Sequence, residues 1–283
     1  MNSLAQIAVD IGNSGARLVR LPAEPNSALP PPIRINWRKH PLSTETSLSL
    51  YTTEQSDWQK RLSPIIQETL DQSQNLEWWI SSVHRAACES LVEYLNQFSH
   101  CKIQVVDYKS LPLVVDVDYP EKVGIDRLLA AYAASRCVQA GPFLVIQAGS
   151  AVTVDLVQEA CDSPGSSRIV GRFSGGAILP GVPMMLRLLS NAADMLPEVA
   201  AAELIELPPI PGRNSQAAMW AGVSSCLVGG VLHLVQRYRE EFGISIPIVL
   251  SGGDGPLLRP HLIQPFIEVD HLVLQGLRLL AQS

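Results

Sequence analysis

No G-x-x-x-x-G-K-[ST] segment occurs anywhere in this 283-residue sequence, which removes the commonest single-loop cradle for a triphosphate. Cysteine is scarce: Cys88, Cys101, Cys137, Cys161 and Cys226 are odd in number and never spaced C-x-x-C. That argues against a disulfide framework or a thiolate zinc site, and reduced thiols in the cytoplasm are expected. Basic residues are the minority, 21 Lys and Arg against 27 Asp and Glu, for a net charge of −6. General nucleic-acid binding, which wants a basic face, is therefore not expected. No uncharged apolar run reaches the roughly 18 residues of a membrane span. Met1–Gln6 lacks the basic start of a signal peptide, so neither export nor membrane insertion is expected. Charged residues make up only 17% against 47% hydrophobic. The chain can therefore bury a large interior, and at this length two cores are more natural than one.

What is present alternates strand and helix signals. Leu4–Val9 and Ala16–Leu21 read as strands joined by a turn at Gly12-Asn13-Ser14-Gly15. Pro22–Pro32 holds five prolines and reads as a loop. Ile33–Trp37, Leu76–Val83 and Ile103–Val106 read as further strands, and Trp58–Gln72 and Ala87–Gln97 as helices. After a connecting loop at Asp116–Lys122, a helix is expected from near Asp126 through Ala134. Phe143–Ile146, Ala151–Val157 and Ile169–Phe173 follow as strands, Gly175–Gly181 as a glycine-rich turn, and a helix from about Val182. Ser215–Phe242 has a long helical pattern weakened by Gly222, Gly229 and Gly230, Ile246–Leu250 reads as a strand, and the tail from Asp270 as a helix. Residues 7–14 and 144–151 share one shape: an apolar strand, a polar residue, a small or apolar residue, glycine, a small polar residue and a return strand. Such hairpins also arise by chance, so duplication and coincidence both remain open.

Five short segments could carry chemistry. In Asp10-Ile11-Gly12-Asn13-Ser14-Gly15, a strand delivers a carboxylate to its end, where it can hold Mg²⁺ directly or through water. The turn that follows can offer N–H and hydroxyl donors to phosphate. An ordinary hairpin with Asx-turn chemistry would look the same. Gly124-Ile125-Asp126-Arg127 precedes an apolar helix. Asp126 could cap that helix or serve as a general base, with Arg127 as a planar clamp for carboxylate or phosphate. Gln147-Ala148-Gly149-Ser150-Ala151-Val152-Thr153 is a second candidate phosphate turn or a plain hairpin. Gly175–Gly181 would let a ligand approach a helix start, while Met184, Met185 and Leu188–Leu189 beyond it read as core or a dimer seam. Ile248–Gly253 ends a buried strand in bare backbone, on which a flat purine could lie.

In order and spacing, these segments resemble the type III pantothenate kinases. That family reads D-x-G-N-T, then G-x-D-R, D-x-G-T-A-x-T, G-G-x-I-x-P-G, a [NT]-T patch at a helix start and a T-G-G strand end. This chain offers Asp10–Ser14, Gly124–Arg127, Gln147–Thr153, Gly175–Gly181, Asn214-Ser215 and Ser251-Gly252-Gly253. The resemblance spans nearly the whole chain. It implies an α/β fold of duplicated ribonuclease-H-like, actin-like ATPase halves, 1–117 and 118–283, with a nucleotide cleft between them. It implies ATP and Mg²⁺ as cofactors, pantothenate as substrate, and a cytoplasmic homodimer without nucleic-acid or membrane partners.

Residue by residue, the resemblance assigns Asp10, Ile11, Gly12, Asn13, Ser14, Gly15, Ala16 and Arg17 to the ATP phosphates, with Asp10 organising Mg²⁺ and Ser150 touching ATP. Asp126 becomes the base that deprotonates the pantothenate hydroxyl. Gly124, Ile125, Asp126, Arg127 and Ser215 line the substrate. Serine stands where the family has threonine at 14, 150, 215 and 251, which keeps the hydroxyl. Gln147 stands where the family has an aspartate associated with K⁺ or NH₄⁺, and supplies no charge to such an ion. Two other readings fit the same motifs: a nucleotide-binding regulator that has lost catalysis, and a sugar kinase of the same superfamily.

Overall fold

The computed structural model describes residues 4–24, 27–36, 62–64, 66, 68, 75–138, 141–159, 170–199, 206–243, 245–263 and 265–283. The chain divides into two compact units. The first comprises Met1–Leu111, Val123–Leu129 and Val273–Ser283; the second comprises Pro112–Lys122 and Ala130–Leu272.

In the first unit, β1 (Leu4–Ile11), β2 (Gly15–Arg20), β3 (Ile33–Asn36), β4 (Asn75–Ser82) and β5 (Cys101–Val105) form one sheet in the order β3-β2-β1-β4-β5. The β1–β2 and β2–β3 pairs are antiparallel, and β1–β4 and β4–β5 are parallel. The alternate residues Ile7, Val9 and Ile11 pack with Leu76, Trp78 and Ile80 against Ala87, Leu91, Tyr94 and Leu95 of α1 (Arg85–Leu95). Ala8, on the opposite face of β1, is equally buried, as expected for a strand covered on both sides. The α1 start is capped by His84, whose Nδ1 accepts from the Ala87 N–H at 3.2 Å.

The second unit repeats this wiring. Here β6 (Val114–Val115), β7 (Phe143–Ala148), β8 (Ala151–Gln158), β9 (Arg172–Pro180), β10 (Ile248–Ser251) and β11 (Phe266–Glu268) form a sheet in the order β11-β10-β7-β8-β9-β6. Again the first hairpin and its third strand are antiparallel, and the two later strands are parallel. The extra strand β6 borders β9 in parallel. The hairpin shared by residues 7–14 and 144–151 is thus the visible part of a five-strand motif built twice.

The helices are α2 (Ile125–Ala134), α3 (Val182–Ala192), α4 (Ser215–Phe242), α5 (Gly255–Leu258) and α6 (Leu272–Ala281). The three glycines do not interrupt α4. Contrary to the expectation that no run is long enough, α4 could cross a membrane by length and composition; its Val223, Leu227, Val231 and Val235 instead pack into the sheet core with Leu144, Ile146, Val154 and Leu156.

Two expectations are corrected. Gly175–Gly181 is not a turn: β9 runs from Arg172 to Pro180 and pairs with β8, Gly176 lying opposite Asp155. Glycine there lets the strand pass close over the Asp155 carboxylate, where a Cβ would collide. Asp116–Lys122 is not wholly irregular, since Pro120–Lys122 forms one 3₁₀ turn. The expected helix at 58–72 lies mostly outside the described residues, of which 62–64, 66 and 68 are helical; so does position 169 of an expected strand.

Candidate active site

Asp10 is the last residue but one of β1, and Arg17 faces it in register on β2. The Arg17 guanidinium lies 4.0 Å from the Asp10 carboxylate, whose side chain is only 13% exposed. Between them the turn is closed by the Gly12 N–H donating to the Gly15 carbonyl at 2.8 Å. Asn13 and Ser14 stand exposed at its tip, while Ile11 and Ala16 are buried beneath it. Local sequence explains the shape: an apolar strand cannot continue through Gly-Asn-Ser-Gly, and the small residues allow a tight reversal.

Asp126 reaches the same unit from the start of α2. The Arg127 N–H donates to Asp126 Oδ1 at 2.9 Å and to the Gly124 carbonyl at 3.0 Å, so the carboxylate lies over the first turn. Ile125 is buried, and Gly124 lies beside Val83, the residue that follows β4. The Val83 N–H in turn donates to the Ile11 carbonyl at 3.0 Å. One turn further along α2, Gly276 of α6 passes so close to the Leu129 backbone that a Cβ would clash with it. Gln6 ties α6 back to β1 through a 2.8 Å bond from Nε2 to the Ala281 carbonyl.

The two carboxylates respond to this enclosure. Asp10 is pushed up from 3.8 to about 7 by burial, with Arg17 pulling it down and the charge of Asp126 pushing it up. Burial also raises Asp126, opposed by its hydrogen bond from and attraction to Arg127. Two acids whose environments favour the proton, with one sensing the other, form the strongest electrostatic feature of this unit.

In the second unit the counterpart row is neutral. Gln147 occupies in β7 the place of Asp10 in β1, with Thr153 in register on β8 and Ser251 in register on β10. Ser150 is exposed at the turn, and its carbonyl accepts from the Gly181 N–H at 3.1 Å. Gly252, at φ 107°, lies flat on the Ala148 backbone with no room for a Cβ. Ser215 opens α4, exposed, after Asn214 caps the helix by accepting from the Ala217 N–H at 2.8 Å.

The candidate residues thus fall into two groups. Asp10–Arg17 and Gly124–Arg127 meet in the first unit, and Gln147, Ser150 and Ser215 belong to the second. The sequence reading missed Ser81, which lies in register with Asp10 on β4. Its signal was faint: a small polar residue near the end of an otherwise apolar strand.

The sequence model of a family described as type III pantothenate kinase matches residues 6–237. The type III pantothenate kinase of Rhodopirellula baltica is 38% identical over 204 residues, covering 70% of this chain and 69% of that protein. That of Synechococcus sp. strain JA-2-3B'a(2-13) is 32% identical over 214 residues, covering 74% and 75%. That of Rhodospirillum rubrum is 33% identical over 201 residues, covering 70% and 72%. Among solved structures, a putative Baf family transcriptional activator from Campylobacter jejuni matches with a TM-score of 0.53 at 20% identity, covering 98% and 97% of the two chains. A non-polymerisable ParM mutant matches with a TM-score of 0.52 at 10% identity, covering 99% of each chain. The glucokinase of Balamuthia mandrillaris matches with 0.51 at 10%, covering 99% and 94%. At these identities the structural likenesses show the fold alone, that of actin-like ATPases and sugar kinases.

Proposed function

The chain belongs to the type III pantothenate kinase family, and from that premise we propose that it transfers the γ-phosphoryl group of ATP to the hydroxyl of (R)-pantothenate, the first step towards coenzyme A, with Asp126 as base. The observation that supports this most is that Asp10 and Asp126 stand in one unit, joined through Val83, whose N–H donates to the Ile11 carbonyl and whose side chain lies beside Gly124. A phosphoryl-transfer site needs a carboxylate for the metal–nucleotide group and a second one for the acceptor hydroxyl.

Asp126 is the base. Its raised affinity for a proton makes it a better acceptor than an ordinary aspartate. As the acceptor oxygen attacks the γ-phosphorus, its proton passes to the Asp126 carboxylate, and the bond from γ-phosphorus to the β-bridging oxygen breaks to release ADP. Arg127 meets the pantothenate carboxylate through its planar fork. The turn from Gly12 to Arg17 receives the phosphates, with the Asn13 and Ser14 side chains as donors at its exposed tip and the Gly12 N–H kept for closing the turn. Ser150 and Ser215 keep the roles the resemblance gives them, a hydroxyl toward ATP and a hydroxyl toward pantothenate.

Mg²⁺ fits Asp10. One buried carboxylate beside a second acid suits an ion that takes one or two carboxylates and completes its shell with phosphate and water. Bound with the nucleotide, it would neutralise phosphate charge. A monovalent cation at Gln147 would find only neutral ligands: the row Thr153–Gln147–Ser251 offers an amide oxygen and two hydroxyls and lacks the carboxylate the family carries there, so the row disfavours a strongly held ion. The carboxylate nearest in sequence, Asp155, is fully buried and already engaged with other groups.

A homodimer is supported by exposed apolar side chains in the second unit: Ile178 on β9 is 64% exposed, Leu188 57% and Met195 91%, with Met184 and Leu189 also exposed along α3, and exposed apolar surface of this kind favours association. A cytoplasmic location accompanies this reading. Coupled ADP release with pantothenate and a panel of sugars, for the wild type and Asp126→Asn, tests it. Turnover should require pantothenate and vanish in the variant, while ADP binding persists. Turnover on a sugar alone, or an active variant, would refute the assignment.

A further inference from the structure

We propose that Ser81 is a positioning residue of the nucleotide turn, its hydroxyl held in reserve as the hydrogen-bond donor that fixes the Asp10 carboxylate when the metal–nucleotide group binds. The proposal rests on the reading of Asp10 as the carboxylate that serves that group.

The placement comes from the sheet. β1 and β4 run parallel with Asp10 opposite Ser81, and residues in register on adjacent strands project to the same face. Asp10 therefore has Arg17 on one flank and Ser81 on the other. Ser82 projects to the opposite face and is already used: its Oγ donates to the His84 carbonyl at 3.0 Å and accepts from the His84 N–H at 3.1 Å. Of the two serines that end β4, only Ser81 is available to Asp10.

Ser81 is 0% exposed, yet its Oγ has no hydrogen-bond partner. Leaving a buried hydroxyl unpaired destabilises the free fold, and alanine would avoid that penalty at this position. The pattern recurs. Among the described residues the only other buried side-chain hydroxyl without a partner is that of Thr153, which lies in register with Gln147. Each unit thus keeps one unpaired hydroxyl beside the strand-end residue of its first hairpin. Buried nitrogens of Trp78, Trp79, His100, Arg239 and Arg278 also lack partners, but the two hydroxyls occupy equivalent places in the two units, which a partner acquired on binding explains better than imperfect packing. A carboxylate gripping a metal–nucleotide group must hold one rotamer, and a donor from the neighbouring strand supplies that restraint without adding charge.

The test compares Ser81→Ala, Ser81→Thr and Asp10→Asn as full-length protein. Ser81→Ala should melt at the same temperature as wild type or higher, because an unpaired group is removed. Its affinity for ADP in the presence of Mg²⁺, measured by calorimetry, should fall about tenfold, the loss of one hydrogen bond to a charged group. Its affinity for ADP in EDTA should not change. Its kcat should fall with KM for pantothenate unchanged, and Ser81→Thr, which keeps the hydroxyl, should recover affinity. Ser81→Ala binding Mg²⁺ and ADP within twofold of wild type, while Asp10→Asn binds weakly, overturns the role of Ser81 alone. A lowered melting temperature in Ser81→Ala overturns it too, since the hydroxyl would then be serving the free fold. Unchanged binding in Asp10→Asn removes the reading of Asp10 and this proposal with it.

Discussion

The Asp126 carboxylate folds back over the Cα of Gly124, so that a Cβ placed on Gly124 would lie 2.5 Å from Asp126 Oδ1. The two ends of the G-x-D pair are therefore sterically coupled: glycine at the first position is what permits the acid at the third to lie where it does. The atom in the way belongs to a movable side chain and not to the backbone, so the fold can absorb a methyl group while the carboxylate cannot keep its place.

Gly124→Ala should accordingly separate activity from stability. The melting temperature should change little, and kcat should fall about 10–100-fold, the usual effect of displacing a catalytic group by about an ångström. Thermal melts and steady-state kinetics on the same preparation check this. A variant with full activity would show that Asp126 does not work from its position over Gly124. Gly15→Ala is the contrast: there a Cβ would strike the Ile35 carbonyl, so the β2–β3 pairing and the melting temperature should suffer.

Stability of the metal-free protein should depend on pH through Asp10. Its carboxyl ionises near 3.8 when unfolded and near 7 when folded. Between those values the unfolded chain holds fewer protons than the native one, so stability falls as pH rises from about 4 to about 7 and then levels. Asp10→Asn removes this contribution. Melts in EDTA should show the variant gaining more over wild type at pH 8 than at pH 5. Parallel curves for the two proteins would mean that Asp10 titrates normally.

Replacing K⁺ by choline should leave wild-type turnover unchanged, because Thr153, Gln147 and Ser251 offer a monovalent ion no charge. Gln147→Asp should introduce a K⁺ response of several-fold in kcat, together with Tl⁺ binding detectable by ²⁰⁵Tl NMR. Strong K⁺ activation of the wild type would contradict the neutral-row argument.

Much of this molecule was legible in its sequence. Strand ends such as Asp10, Gln147 and Ser251 announce themselves because an apolar run stops abruptly at small and polar residues, and that signal is local. Gly175–Gly181 misled for the same reason: paired glycines look like a turn, but the chain uses them to pass over the buried Asp155. The short strands β6 and β11 carry too few residues for any periodicity to show.

By itself the sequence determined the longer elements, the two matching hairpins and the order of the motifs, since each depends on neighbours a few residues apart. Only the tertiary structure decided that Asp10, Ser81 and Asp126 share one unit, that the last helix, from Val273 on, returns to that unit, and that Ser81 rather than Ser82 faces Asp10. Those facts rest on strand register and on which helix covers which sheet. Both are set by packing between segments far apart along the chain, and a linear pattern holds no trace of that packing.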